Sequence, residues 1–143
     1  MSSLSSALAA SASALKAELV RVEVATSNLA NADSTRGPDG GPYRRRDVVL
    51  GSAPVTTFES ELGGMRATGV EVQEIVEDTA AFRRRFEPSH PDADADGYVG
   101  FPNVNTAEEM VDLLSAARAY QANLAAVGVV RDLLQSSLDL GRS

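Results

Sequence analysis

Apolar side chains recur with a helical period at both ends of the chain and lose it in the middle. Leu8, Leu15, Val22 and Leu29 stand seven residues apart, and Leu4, Ala12, Leu19 and Ala25 fill in the same side. That spacing lines them up as one stripe of a helix. It predicts a single N-terminal helix over residues 1–32, closed by Asp33-Ser34 and then by Gly37-Pro38. At the other end Leu113, Tyr120, Val127 and Leu134 form one seven-residue series. Met110, Ala117 and Leu124 form a second beside it, broken at Arg131. Asn105 or Thr106 can cap this second helix, and Glu108 and Glu109 occupy its first turn, where the helix dipole favours anions. The helix is expected over 106–143, with Leu138 closing the apolar face and Gly141 as a stop. Gly128 in mid-helix costs about 1 kcal/mol against alanine and suits close approach of a neighbouring backbone.

The middle, 33–105, holds all six prolines and nine of the eleven glycines. It reads as strands and turns. Tyr43 to Leu50 is expected as a strand ending at Gly51, Val55 to Phe58 as a weak one, and Gly69 to Glu77 as a third. Pro88 to Gly97 is expected to be irregular. The fold class that follows is α+β: two long terminal helices paired as an antiparallel coiled-coil hairpin, with a small β-rich insert between them. The expected divisions are 1–32, an N-terminal helix of an inner helical domain; 33–105, an outer insert; and 106–143, the C-terminal helix of the inner domain.

Composition narrows the function. The 143 residues carry no cysteine, no tryptophan and one histidine, which excludes disulfides, thiolate metal sites and multi-histidine metal centres. The net charge of -7 argues against nucleic acid as a partner. No stretch reaches the roughly 20 apolar residues that span a bilayer, so direct membrane insertion is not expected. The N-terminus lacks a basic segment before an apolar core, so no secretory signal is expected there.

The two stripes need cover. The insert is small and poor in aromatic residues, so the stripes are expected to meet each other or other subunits. Leu8, Leu15, Leu19, Val22 and Leu29 of the first helix, with Met110, Leu113, Tyr120, Leu124, Val127 and Leu134 of the second, are the expected assembly interface. A hairpin of two helices leaves about half of that surface wet. Folding of the ends is therefore expected to be coupled to assembly.

Catalytic constellations are absent from the sequence pattern. Asp92-Ala93-Asp94-Ala95-Asp96-Gly97 matches the first half of a calcium loop, but its twelfth position is Asn103 where a bidentate glutamate belongs. Pro88 and Pro91 also stand where such a loop needs a preceding helix. Ser89, His90 and Asp92 lie almost side by side, unlike a triad assembled from distant segments. Arg44-Arg45-Arg46 and Arg83-Arg84-Arg85 lie in a segment of net charge -5 and are expected to pair with carboxylates. No catalytic, cofactor or metal residue is assigned, and no cofactor is expected. Two alternatives remain. One is a helical interaction module that does not polymerise. The other is a calcium-binding protein acting through Asp92, Asp94 and Asp96.

Six blocks resemble the flagellar rod and hook axial proteins. Asn28-Leu29-Ala30-Asn31-Ala32-Asp33-Ser34-Thr35 resembles their N-terminal signature, at the end of the first helix. Gly40-Gly41-Pro42-Tyr43-Arg44-Arg45 narrows the resemblance to proximal-rod members. So do His90-Pro91-Asp92-Ala93-Asp94 running into Gly97-Tyr98-Val99, and Pro102-Asn103-Val104-Asn105. Glu109-Met110-Val111-Asp112 and Ala117-Arg118-Ala119-Tyr120-Gln121-Ala122-Asn123 complete it. The resemblance implies a non-enzymatic structural subunit of the periplasmic rod of the bacterial flagellar basal body, exported by the flagellar type III apparatus. It implies as partners copies of itself, the rod proteins FlgB, FlgF and FlgG, the FliE adaptor and basal-body ring components. It also implies that the terminal helices build an inner layer and the insert an outer one.

Overall fold

The computed structural model describes residues 2–37, 40–55 and 67–141. Helix α1 spans Ser2–Ala30 and helix α2 spans Thr106–Leu140. Between them lie two antiparallel hairpins, β1 (Arg46–Val55) with β2 (Ala67–Glu77) and β3 (Arg83–Phe86) with β4 (Tyr98–Phe101).

The helix ends form where the side chains satisfy them. Asn31 donates its amide to the Ser27 carbonyl at 2.9 Å and accepts from Ser34 Oγ at 3.2 Å, closing α1. Asn105 caps α2, its side chain accepting from the Ala107 N–H at 3.2 Å. The two helices pack on each other, and α1 also lies against both strands of the first hairpin. Ser13 joins α1 to β2: its hydroxyl donates to the Ala10 carbonyl at 2.7 Å and accepts from the Val70 N–H at 3.0 Å.

The strands differ from the expected ones in extent. β1 begins only at Arg46 and runs through Gly51 to Val55. Gly51 does not stop it because the ladder bulges there: Val49 pairs with Glu74 and Leu50 with Val72, leaving Gln73 as the extra residue. A Cβ at Gly51 would overlap the Gln73 side chain, so glycine makes room for the bulge. Of the weak strand expected over 55–58, Val55 closes β1 and the rest lies outside the described residues. The expected strand 69–77 lies within β2.

The second hairpin was not expected from the sequence. Arginine side chains stack across it, Arg85 over Phe101 at 4.3 Å and Arg84 over Tyr98 at 4.9 Å. Phe86 packs edge-on against Tyr98. Beneath it Val99, Phe101 and Val104 form the apolar core of the insert. The loop 87–97 is irregular, as expected, and turns at Gly97, whose φ of +80° suits glycine. No described helix is long and apolar enough to cross a membrane.

Burial on the helices is selective. The buried positions are small or polar: Ala17, Ala25 and Asn28 on α1, Glu109 and Ala116 on α2. Larger apolar residues lie toward solvent. Met110, Val111, Leu114, Leu124, Val129, Leu133, Leu138 and Leu140 are all exposed on α2.

Candidate functional site

The helices and the insert meet at a buried polar joint. Asn28, only 1% exposed, uses all four hydrogen-bonding positions of its amide. Its Nδ2 donates to the Arg46 carbonyl at 2.8 Å and to Glu109 Oε2 at 2.9 Å. Its Oδ1 accepts from the Arg46 N–H at 3.0 Å and from the Tyr43 hydroxyl at 2.9 Å. One side chain at the end of α1 thus holds the first residue of β1 and the first turn of α2.

Glu109 is 2% exposed and is the largest side chain buried outright. Its second oxygen, Oε1, accepts from Arg45 Nε at 2.6 Å. Arg45 also reaches Asp47 at 3.4 Å, Asp112 at 3.9 Å and Asp78 at 4.0 Å. Burial works against its charge. The hydrogen bond to Glu109 and the negative charge of Glu109 and Asp47 outweigh it, and the guanidinium is held above its ordinary pKa. The Arg45 backbone is fixed independently: its N–H donates to Asn103 Oδ1 at 3.1 Å, and its carbonyl accepts from the Asp78 N–H at 2.8 Å.

A second set of contacts ties the loop of β3–β4 to the chain after α1. Asp92 accepts from Thr35 Oγ1 at 2.8 Å and pairs with Arg36 at 3.0 Å. His90 Nδ1 accepts from the Asp92 N–H at 3.1 Å. Asp94 accepts from the N–H groups of Tyr98 and Asp96 and pairs with Arg84. The Tyr98 N–H above all holds its carboxyl below the ordinary value, and Arg84 and the Asp96 N–H add to it, together outweighing desolvation. Asp92 and Asp94 thus serve different partners, and among the described residues no group of three His, Asp or Glu is placed to hold a metal. The arginine runs are engaged as well. Arg44 stacks on Phe82 at 4.3 Å and donates to the Asp78 carbonyl at 2.9 Å. Arg83 donates to the carbonyls of Pro102 at 2.9 Å and Ala32 at 3.5 Å.

Two regions match family models: residues 3–38 match the flagella basal body rod protein, and 95–140 match the C-terminal region of the flagellar basal body rod FlgEFG proteins. The flagellar basal-body rod protein FlgC of Salmonella typhimurium is 44% identical over 131 residues, covering 91% of this chain and 92% of the relative. The chain belongs to the FlgC family of flagellar basal-body rod proteins. FlgC of Bacillus subtilis is 41% identical, covering 92% of this chain and 94% of its own. FlgC of Borreliella burgdorferi is 34% identical, covering 94% and 95%.

The residues that carry the FlgC resemblance gather at these two sets of contacts. Asn28, Tyr43, Asn103 and Glu109 build the joint, and Asn31 and Asn105 close and open the helices on either side of it. His90, Asp92, Asp94, Gly97 and Tyr98 shape the loop. Pro102 is buried beneath Arg83, Pro42 faces Gly100, and Gly41 accepts from the Gly37 N–H. Leu29 is half-buried, while Ala30 and Met110 are exposed. Among the expected interface residues, Leu19, Met110 and Leu124 are exposed, and Leu8, Leu15, Val22, Leu113, Tyr120, Val127 and Leu134 are half-buried. Arg45 and Arg46 had no assigned role beyond pairing. Their signal in the sequence was a run of three bases leading into β1, with an acid in the first turn of the last helix.

Proposed function

We propose that this chain is a structural, non-catalytic subunit of the proximal rod of the bacterial flagellar basal body, and that it polymerises through its terminal helices into the drive shaft that carries torque from motor to hook. Membership of the FlgC family supports the rod assignment. The observation that supports polymerisation is the exposed apolar surface of α2, which presents eight large apolar residues in the single chain. Such a surface needs a partner. A heterologous contact whose rotation does not close builds a helical filament.

In this reading the helices pair antiparallel as an inner layer, 1–32 with 106–143, and 33–105 forms the outer layer. The partners are further copies and the other rod proteins FlgB, FlgF and FlgG, with FliE and ring components at the ends of the shaft. The flagellar type III apparatus delivers the chain.

Deleting the gene and imaging basal bodies by electron cryotomography tests the proposal. Inner rings without rod, hook or filament, restored by the wild-type copy, are expected. Complete rotating flagella in the deletion strain, with no second copy present, would overturn it.

A further inference from the structure

Resting on the reading that this chain polymerises, we propose that the groove between α1 and β2 receives the far end of α2 from a second copy. The groove has a volume of about 510 Å³. Ala9, Ala12 and Val20 of α1 and Val70 and Val72 of β2 make it apolar, and Lys16 and Glu71 are the charged residues in its lining. Apart from Lys16, its α1 wall has no side chain larger than valine, which suits a helix laid along it by its apolar face.

Charge selects the occupant. Lys16 is exposed and makes no ion pair among the described residues; the pair on α1 joins Arg21 to Glu18. The far end of α2 has the opposite imbalance. Asp132 and Asp139 stand seven residues apart on one edge of the helix, near its C-terminus, where the dipole disfavours anions, and no base occupies its last turn. Among the described residues Asp132 pairs with exposed Arg131 at 3.5 Å and Asp139 with no base. Beside them Val129 and Leu133, one turn apart, are exposed. The other edge, Ala126, Val130 and Ser137, is uncharged, so Glu71 meets no acid there. One chain cannot make this contact with itself. Counted from the joint where Asn28 meets Glu109, Lys16 lies about 18 Å back along α1, while Asp132 and Asp139 lie about 35 Å and about 45 Å along α2. No side chain spans that offset. A second copy displaced along the helix axis removes it, and the same displacement repeated extends without closing.

Charge reversal in the deletion strain tests this, with full-length variants read by their amount in the basal-body fraction. Lys16→Glu sets an acid against Asp132 and Asp139, and the double variant Asp132→Lys with Asp139→Lys sets two lysines against Lys16. Each is expected to lower incorporation by about tenfold or more, because like charges across a contact repel. All three substitutions in one chain restore opposite charges and are expected to restore incorporation. The substituted side chains are exposed, and lysines near the end of α2 suit its dipole, so circular dichroism of the double variant should show no loss of helix. Normal incorporation of either variant, or no recovery with all three substitutions, would overturn this contact; the second result would give the groove to a different protein. Complete flagella in the deletion strain would fail the rod reading and this contact with it. A rodless deletion strain in which the variants behave otherwise than expected fails the contact alone.

Discussion

Asn28 and Arg46 are joined as neighbouring strand residues would be, except that one partner is a side chain. The Asn28 amide donates to the Arg46 carbonyl at 2.8 Å and accepts from its N–H at 3.0 Å. The last turn of α1 therefore supplies the pairing that the first residue of β1 would otherwise seek from another strand.

Removing that amide strands several groups at once. Asn28→Leu leaves the Arg46 N–H and carbonyl, the Tyr43 hydroxyl and one oxygen of Glu109 without their partner. We expect a loss of about 2–4 kcal/mol in urea unfolding, at the upper end for a single substitution. Asn28→Asp keeps the acceptor but sets a carboxylate against Glu109, and it should be no better tolerated.

Asp94 gives the second hairpin a pH dependence with a definite sign. Its folded carboxyl lies below the ordinary 3.8. Its contribution is therefore complete above pH 3.8 and is lost as pH falls through the lower folded value. Carboxyl NMR should show Asp94 titrating below the ordinary aspartate value. In Asp94→Asn the amide oxygen still accepts from Tyr98 and Asp96, but the pairing with Arg84 and this acid-sensitive step disappear.

Gly128 separates the needs of the chain from those of its assembly. Among the described residues, nothing beyond its own stretch of helix lies within 4 Å of a Cβ placed there. Gly128→Ala should therefore stabilise the free chain by up to about 1 kcal/mol through helix propensity alone. If a neighbouring subunit's backbone approaches this point, the same variant will incorporate poorly and reduce motility despite its higher melting temperature. Normal motility would show that the glycine serves no contact.

Leu124 and Leu15 divide in the same way. Leu124 is 52% exposed, so Leu124→Asp should change unfolding by less than about 0.5 kcal/mol while blocking incorporation into basal bodies. Leu15 is half-buried, and Leu15→Asp should cost about 1–3 kcal/mol as well as blocking incorporation. Fractionated basal bodies and secreted material, blotted for each variant, check both. Full incorporation of Leu124→Asp would count against the exposed apolar surface of α2 as the contact.

Circular dichroism of the dilute chain should report fewer helical residues than the 29 of α1 and 35 of α2 together, with the loss at the ends far from the joint. There α2 exposes Leu133, Leu138 and Leu140.

The helices were legible because their period persists over many turns: α1 and α2 lie within the expected 1–32 and 106–143, and Asn105 is the cap. The second hairpin was not. Three consecutive arginines give β3 no alternation to read, and Arg84 and Arg85 are ordered by stacking on Tyr98 and Phe101, which lie further along the chain. Gly51 was misleading because a local rule reads it as a stop, while the bulge at Gln73 that accommodates it is set by the partner strand. The joint was half legible. Asn28, Tyr43 and Glu109 stood out through their family resemblance, yet periodicity alone could not show that a polar residue beside the apolar stripe would use every hydrogen-bonding position of its amide.

The Asn28–Arg46 contact has a mechanical consequence. Along the main chain, a pull on α1 would reach the first hairpin only after passing through the whole connection between Ala30 and Arg46. Through Asn28 the same pull reaches β1 across a single side chain, with no slack to take up. On the proposal that this chain is part of a torque-carrying rod, the strain is shared at that point and the connection between α1 and β1 is spared the load.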